Sequence, residues 1–266
     1  MKKIDYYEIC NQKLKYLNYS EKTIKIYIFY IEQFLKSLEV SPSRITSNDF
    51  QFYLNNYKFI SISQQNQVIN SIRFLYKEVL GRKYDKVSFT RPRSEKRLPK
   101  VIDSDFIIEK LSKIENIKHR TILTLTYSVG LRVSEIVNLK IDDIDSERMI
   151  IYIRNGKGRK DRIVPLSKNV LLLINVYKLK YNPIEHLFNG QKSNKYSIGS
   201  CQKIYKKYID QKTSIHTLRH SCFTNLLESD VNLRTIQKIA GHSSSKTTEI
   251  YTHVSNNILN KVKLPI

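Results

Sequence analysis

The chain is organised around residues 214–253, which read SIHTLRHSCFTNLLESDVNLRTIQKIAGHSSSKTTEIYTH and hold four of its six histidines. Apolar residues recur at spacings of three and four after His216, which predicts a helix with Ser214 or Thr217 as its N-cap. His216 and Arg219 would then share one face near the helix N-terminus, where backbone N–H groups also favour anions. This arrangement suits a phosphate group.

A second helix is predicted between Leu233 and Ala240, from the spacing of its apolar residues. Gly241 favours a left-handed C-cap, so the helix should end there and leave His242 on the following turn. Tyr251 comes nine residues after His242, on a short helical run. The imidazole and the tyrosine hydroxyl can therefore face one cleft.

An arginine box, Gly130-Leu-Arg132-Val-Ser-Glu135, lies just past the predicted end of another helix. Arginine offers a planar fork of N–H donors that matches a phosphate, so Arg132 is a candidate ligand for one. Considered alone, the same residue is equally a helix-start arginine that pairs with Glu135 or Asp143. The sequence by itself leaves both readings open.

A β-hairpin is predicted around Asn155-Gly156, which lies between β-rich runs at 149–154 and 162–166. Lys157 falls in its turn. A lysine in such a turn is usually only solvated, and Gly-Lys-Gly lacks the full spacing of a nucleotide-binding P-loop. Lys157 becomes a candidate site residue only in combination with the other motif segments, which are described next.

Five segments follow one family pattern in chain order: Gly130-Leu-Arg132-Val-Ser-Glu135, Gly156-Lys157-Gly158 before Ile163-Val-Pro165-Leu, His216-Thr-Leu-Arg219-His220-Ser, Gly241-His242-Ser-Ser with Thr247-Thr248, and Tyr251-Thr-His253. Together they resemble the tyrosine recombinases of the phage-integrase and Xer type. The resemblance implies a mainly α fold with a small antiparallel β-sheet. In that fold an N-terminal helical, SAM-like bundle precedes an α+β catalytic domain.

The resemblance also implies a function, a site-specific DNA recombinase or integrase. Such an enzyme cuts and rejoins DNA through a 3′-phosphotyrosine intermediate and exchanges strands via a Holliday junction. By resemblance Lys157 is the general acid, His216 assists the nucleophile, His242 hydrogen-bonds the phosphate and Glu135 supports the arginine box. No cofactor and no metal are implied. The implied catalytic residues are Arg132, Lys157, His216, Arg219, His242 and Tyr251.

These residue types suit the chemistry of a phosphodiester. A tyrosine hydroxyl can attack phosphorus and keep the bond energy in a covalent intermediate, which makes Tyr251 the candidate nucleophile. Negative charge grows on the non-bridging oxygens, and Arg132 and Arg219 can hold them. Imidazole and ammonium groups nearby can move the protons that the reaction requires.

The charge of the chain predicts a polyanionic partner. Its 266 residues include 46 Lys and Arg against 24 Asp and Glu, a formal net charge of +22. We expect duplex DNA as the partner, and the resemblance implies that the protein itself or a paralogue forms a tetramer on two sites. An AT-rich genome that favours lysine explains part of the excess. The sequence shows no apolar segment that would span a membrane, so we expect a protein of the bacterial cytosol.

The distribution of glycine and proline along the chain predicts two domains. Residues 1–88 hold one glycine and one proline, which is typical of a helical domain. The resemblance implies that this is a core-DNA-binding domain. Residues 89–100 form a basic linker, and residues 101–266 form the catalytic domain. Ser20 is a predicted helix N-cap, and Thr46 with Asp49 a capping box.

Three other functions compete with recombination. His216 and His220 stand at i and i+4 like zinc ligands, but Thr217 replaces the general-base glutamate and Arg219 would repel a cation. The second alternative is a catalytically silent DNA-binding regulator of the same fold. This hypothesis is weakened because every expected catalytic position is filled. A type IB topoisomerase-like nicking-closing enzyme shares the chemistry and differs in its partners.

Overall fold

The chain divides into two compact units, Met1–Lys96 and Arg97–Ile266, each with its own hydrophobic core. The structure is a computed structural model that describes residues 3–82, 91–93, 98–154, 161–191, 193–242 and 244–253. Within these ranges the chain is mainly helical with one three-stranded antiparallel sheet, which confirms the predicted fold class. No helix in the described ranges is long and apolar enough to span a membrane.

Side-chain caps set the helix starts of the first unit. Ser20 accepts a hydrogen bond from the N–H of Thr23 at 3.2 Å, and Thr46 and Asp49 form a reciprocal capping box, as predicted. These caps satisfy N–H groups that have no partner inside the helix. The described helices are α1 (Lys3–Tyr16), α2 (Glu21–Ser37), α3 (Ser47–Asn56) and α4 (Ile62–Phe74), with a 3-10 turn at Pro42–Arg44 and a π-helical turn at Leu75–Val79.

Helix α4 begins one and a half turns earlier than its apolar pattern predicts. The apolar run starts at Val68, whereas the helix starts at Ile62, behind the N-cap residue Ser61. The Ser61 hydroxyl accepts a hydrogen bond from the N–H of Gln64 at 3.1 Å. Residues 63–67 are all polar, so apolar spacing could not mark this part of the helix.

The second unit packs helices around the small sheet. Asp103 caps the first helix of this unit, and its side chain accepts hydrogen bonds from the N–H groups of Asp105 and Phe106. The predicted C-terminal segment 254–266 lies outside the described residues. The elements are α5 (Ser104–Ser112), α6 (Ile117–Ser128), α7 (Val133–Asn138), a 3-10 turn (Ile141–Asp143), β1 (Ile144–Asp145), β2 (Ile150–Ile153), β3 (Arg162–Pro165), α8 (Lys168–Tyr181), α9 (Ile198–Tyr208), α10 (His216–Glu228), α11 (Leu233–Ala240), α12 (Lys246–Glu249) and a 3-10 turn (Ile250–His253).

The predicted hairpin is present as strands β2 and β3. They pair antiparallel with Ile151 opposite Val164 and Ile153 opposite Arg162, and Ile151, Ile153 and Val164 are buried. They alternate with less buried neighbours, which is the period-two pattern of a half-buried sheet. Strand β1 was not predicted, because two residues are too short to show a period. The hairpin turn at 155–160, which includes Lys157, lies outside the described residues.

The start of helix α10 corrects one prediction. Neither Ser214 nor Thr217 provides a side-chain cap, and the N-cap residue is Ile215. The N–H of Thr217 instead donates to the backbone carbonyl of Ser214 at 2.8 Å, and Thr217 is buried within the first turn. A tight turn of the backbone therefore satisfies the N–H group that a hydroxyl was expected to bind.

Gly130 allows a close contact that positions the arginine box. It has a φ of +62°, and a Cβ at this position would lie 2.5 Å from Cζ of the fully buried Phe223 on α10. That separation is far below van der Waals contact, and the ring is held in the core. The absence of a side chain at residue 130 thus lets the α6–α7 turn rest on α10.

We expect Gly130→Ala to lower the free energy of unfolding of the second unit by about 2 kcal/mol or more. An alanine in the left-handed region costs about 1 kcal/mol, and overpacking against Phe223 adds about 1 to 3 kcal/mol. Urea denaturation followed by circular dichroism measures the change. The matched control is Gly199→Ala in α9, where the new Cβ meets only the Ser197 hydroxyl at 3.8 Å and a helical alanine is favoured over glycine. Equal effects of the two substitutions would contradict the contact argument.

Candidate active site

A wide cleft in the second unit brings together side chains that are distant in sequence. Its volume is about 1620 Å³, and it is lined by residues from the α6–α7 turn, the hairpin, α10, the α11–α12 turn and the C-terminal 3-10 turn. Positive charge predominates among these residues. The predicted site residues that line it are Arg132, Arg219, His242 and Tyr251, together with His220.

Arg219 lies at the centre of the site and is only 4% exposed. Its guanidinium donates to the carbonyl of Gly130, to the carbonyl of Ala240 at 2.7 Å and to Nε2 of His242 at 3.1 Å. Burial and the neighbouring Arg132 lower the pKa of Arg219 to about 10, so the side chain remains charged at neutral pH. One cation thus ties together the ends of two loops that the sequence placed far apart.

His242 is fixed in one tautomer by its two partners. Arginine has no acceptor, so Nε2 of His242 accepts the hydrogen bond from Arg219. The ring proton then lies on Nδ1 and is donated to the Thr248 hydroxyl at 3.0 Å. Burial, followed by the charge of Arg219, lowers the pKa of His242 to about 4, so the imidazole is neutral at neutral pH.

Arg132 forms the helix-start ion pair with Glu135 and also lines the cleft. Its guanidinium donates to Oε1 of Glu135 at 2.8 Å, and its backbone N–H donates to Oε2 at 2.7 Å. Asp143, the other partner considered, instead accepts from Nε of Arg154 at 2.7 Å. The structural and the functional readings of Arg132 are therefore compatible, since the carboxylate fixes the guanidinium at the edge of the cleft.

Glu135 also binds a second arginine, Arg162, which sequence reasoning missed. Arg162 donates to Oε1 at 2.7 Å and to Oε2 at 2.9 Å, and both side chains are buried. Burial by itself would raise the pKa of Glu135, but Arg162 and Arg132 overcome this effect and lower it to about 2. One signal was available in the sequence, because Arg162 shares a face of β3 with the inward-facing Val164.

Arg162 joins the hairpin to the loop that carries His242. Its Nε donates to the carbonyl of Ile239 at 2.7 Å. Gly241 follows in the left-handed conformation, with a φ of +62°, as predicted for the C-cap of α11. A Cβ on Gly241 would lie 2.8 Å from Cδ of Arg162, so the arginine side chain passes directly over this glycine.

Tyr251 is buried beneath the cleft, with 2% of its surface exposed. Its hydroxyl lies 3.2 Å from Nδ1 of His220, and its ring stacks on the His242 ring with centroids 6.3 Å apart and an interplanar angle of 16°. The Phe223 ring packs on it at 5.6 Å. Burial raises the pKa of the Tyr251 hydroxyl, and the Arg219 charge partly offsets this.

Two predicted site residues are not placed in the cleft by the described structure. His216 is the exposed first residue of α10, and it is not among the described residues that line the cleft. Although the residue as a whole is exposed, partial burial of its imidazole, followed by the charges of Arg219 and Arg132, lowers its pKa. Lys157 lies outside the described residues. His220, which the sequence suggested only as a zinc ligand, is the histidine that contacts Tyr251.

Comparison with known proteins identifies the family. Residues 100–257 match the phage integrase family, and residues 7–86 match the phage integrase N-terminal SAM-like domain. The chain belongs to the phage integrase family of tyrosine recombinases. It is 34% identical over 244 residues to the tyrosine recombinase XerA of Pyrococcus horikoshii, covering 89% of this chain and 84% of XerA.

Other relatives agree with this assignment. The recombinase is 35% identical over 216 residues to the tyrosine recombinase XerD of Staphylococcus epidermidis, covering 73% of this chain and 72% of XerD. Its fold matches the crystal structure of the XerH site-specific recombinase bound to palindromic difH substrate, with a TM-score of 0.72 and 22% identity over 98% of this chain and 83% of XerH. The enzyme is thus a tyrosine-type site-specific recombinase, as the motifs predicted.

We expect Arg162→Met to destabilise the second unit by about 2 to 4 kcal/mol at pH 7, because it leaves buried Glu135 with one arginine partner instead of two. The lowered pKa of Glu135 stabilises the fold above the usual carboxyl pKa, and this contribution is lost as the pH falls towards 2. In Arg162→Met the pKa of Glu135 should rise, so this loss should begin at a higher pH. Urea unfolding at pH 7, 5 and 4 measures both effects.

Arg148→Met provides the control, because Arg148 belongs to the same region of the sheet and lies 4.0 Å from Asp145 with 74% of its side chain exposed. Exposed pairs of this kind contribute about 0 to 1 kcal/mol, so little change is expected at any pH. If Arg162→Met were as stable as Arg148→Met, the ion pair with Glu135 would not be a significant stabilising contact.

Proposed function

We propose that this recombinase cuts and rejoins duplex DNA through a 3′-phosphotyrosine intermediate, with Tyr251 as the nucleophile. In the forward step a bond forms between the Tyr251 oxygen and phosphorus, and the bond to the 5′ oxygen breaks. The observation that carries the proposal is the convergence of Tyr251, Arg132 and Arg219 on one cleft from three distant segments. A tyrosine can supply the nucleophile of such a transfer, and two arginines can stabilise the charge of its transition state.

Arg132 and Arg219 would hold the non-bridging oxygens of the phosphate. Both are oriented before DNA binds, Arg132 by Glu135 and Arg219 by the carbonyls of Gly130 and Ala240. Charges fixed in advance stabilise a transition state without the cost of reorganisation. Neutralisation of the growing negative charge is therefore the main contribution assigned to these arginines.

His242 and Lys157 complete the proposed site. In the described arrangement Nε2 of His242 accepts a hydrogen bond from Arg219, so His242 supports that arginine. Binding of a phosphate oxygen by His242 requires a ring proton on Nε2, by a change of tautomer or by protonation. Lys157, at the tip of the hairpin in the sequence, is proposed to protonate the departing 5′ oxygen, since an ammonium group is a suitable general acid.

The proposed partner is a duplex recombination site, and the proposed assembly is a tetramer of this chain, or of this chain with a paralogue, that exchanges strands via a Holliday junction. The net charge of +22 favours a polyanion, and the solved XerH relative is bound to its difH substrate. We assign residues 1–88 to core-DNA binding, 89–100 to the linker and 101–266 to catalysis. A silent regulator would give no covalent adduct, and a nicking-closing enzyme would relax supercoils without exchanging strands.

Tyr251→Phe should abolish the covalent protein–DNA adduct and leave DNA binding nearly unchanged, because it removes only the attacking hydroxyl. The adduct is measured on denaturing gels with a duplex whose sequence is recovered from DNA trapped on the protein in cells. Tyr208→Phe is the matched control, because the Tyr208 hydroxyl also faces a histidine, Nδ1 of His119, at 3.4 Å and lies away from the cleft. An adduct that persisted in Tyr251→Phe would refute the assignment of the nucleophile.

Lys157→Ala should cleave ordinary DNA slowly and recover on a substrate with sulfur in place of the bridging 5′ oxygen. The sulfur leaves without taking a proton, so a general acid is no longer needed. The measurement is single-turnover cleavage of both substrates, with Lys168→Ala at the start of α8 as the control. Equal impairment of Lys157→Ala on the two substrates would show that Lys157 is not the acid.

A further inference from the structure

The nucleophile proposed above faces an imidazole that the family pattern did not assign to it. Nδ1 of His220 lies 3.2 Å from the Tyr251 hydroxyl, and the two rings are tilted by 47° with centroids 5.9 Å apart. We propose that His220 is a further catalytic residue, which removes the proton from Tyr251 as that hydroxyl attacks the DNA phosphate. The inference rests on the proposed function, since it requires Tyr251 to be the nucleophile.

Geometry selects His220 among the histidines of the site. Both ring nitrogens of His242 are engaged, Nε2 by Arg219 and Nδ1 by the Thr248 hydroxyl. His216 is exposed and is not among the described residues that line the cleft, whereas His220 lines it. In the described part of the chain, His220 is therefore the imidazole placed to accept the phenolic proton.

The two side chains start in the protonation states from which this transfer begins. Burial, followed by the charges of Arg219 and His216, lowers the pKa of His220, so its imidazole is neutral and can accept a proton at neutral pH. Burial raises the pKa of Tyr251, so its hydroxyl keeps the proton until attack begins. A phenol that does not ionise by itself gains most from a base within hydrogen-bond reach.

The transfer balances in both directions. The Tyr251 proton moves to Nδ1 of His220 while the phenolic oxygen bonds to phosphorus and the bond from phosphorus to the 5′ oxygen breaks. The 5′ oxygen takes its proton from the separate group on the leaving side, for which Lys157 is proposed. In religation the 5′ hydroxyl attacks phosphorus, the bond from phosphorus to Tyr251 breaks, and His220 returns its proton to the phenolic oxygen.

The test combines His220→Asn with a fluorinated tyrosine at position 251. Asparagine can keep a hydrogen bond near the position of Nδ1 but cannot take the proton, so cleavage should slow by about 10²- to 10⁴-fold. Fluorination lowers the pKa of the phenol and reduces the need for a base. With difluorotyrosine at 251, the loss caused by His220→Asn should shrink at least about tenfold, since general-base catalysis follows Brønsted behaviour. Single-turnover cleavage of the recovered duplex measures the rates.

The matched control is His119→Asn, because Nδ1 of His119 faces the Tyr208 hydroxyl at 3.4 Å in a similar tilted pair outside the cleft. It should cleave at the wild-type rate. The proposal is overturned if His220→Asn cleaves as fast as wild type, or if its loss is the same with ordinary and fluorinated tyrosine, which would make His220 a positioning residue.

A second measurement needs no substitution. Nitrogen-15 spectra of histidine-labelled wild-type protein should show Nδ1 of His220 without a proton at neutral pH, and a proton on Nδ1 would overturn the proposal even if His220→Asn did not fold. The adduct assay distinguishes a failure of the proposed function from a failure of the His220 proposal. If wild-type protein forms no adduct, or Tyr251→Phe still forms one, then Tyr251 is not the nucleophile, and His220 can have no such role.

Discussion

The buried guanidinium of Arg219 is the contact on which the rest of the site depends. It binds the carbonyl of Gly130 and that of Ala240, and it donates to the His242 ring. Its plane also lies over the Phe223 ring, with Cζ 4.7 Å from the ring centroid. A buried arginine without acceptors would be strongly destabilising, so the two loop ends must lie where they can accept its hydrogen bonds. The position of the cation thus fixes the loops, and the loops in turn fix Arg132 and His242.

Glu135 offsets the repulsion that such a concentration of positive charge creates. Arg132 and Arg162 both bind its carboxylate, while Arg219 has backbone and imidazole acceptors. Two of the three arginines therefore share one carboxylate, and the described lining of the cleft retains an excess of positive charge. The same field lowers the pKa of His216, His220 and His242, in each case after burial. The site pairs neutral imidazoles with fixed cations, an arrangement suited to accept a phosphate and to move a proton.

Tyr251, the proposed nucleophile, is held by packing more than by polar contacts. Tyr251 belongs to a cluster with Cys222, Phe223, Ile236 and Ala240, and this cluster anchors the C-terminal 3-10 turn on α10 and α11. A short turn has little stability of its own, so burial of the ring largely determines where the hydroxyl points. The position of His220 on the rigid α10 gives that hydroxyl a fixed partner.

The sequence by itself determined the class of fold and the family, and it named four of the residues that line the cleft. Apolar spacing and capping residues predicted α2, α3 and α11, because these signals are local and act within one helical turn. The left-handed Gly241 and the hairpin strands were predictable for the same reason. The order of the motif segments indicated the family, since these residues can be read directly from the sequence.

Only the tertiary structure decided which side chains meet. Arg162 and Glu135 are 27 residues apart, and His220 and Tyr251 are 31 apart, so no local period connects either pair. The family resemblance assigned His216 to assist Tyr251, the proposed nucleophile, and in the folded chain His220 lies against Tyr251. A contact of this kind depends on how helices rotate and pack around a shared core, and that is set by the shapes of many side chains together.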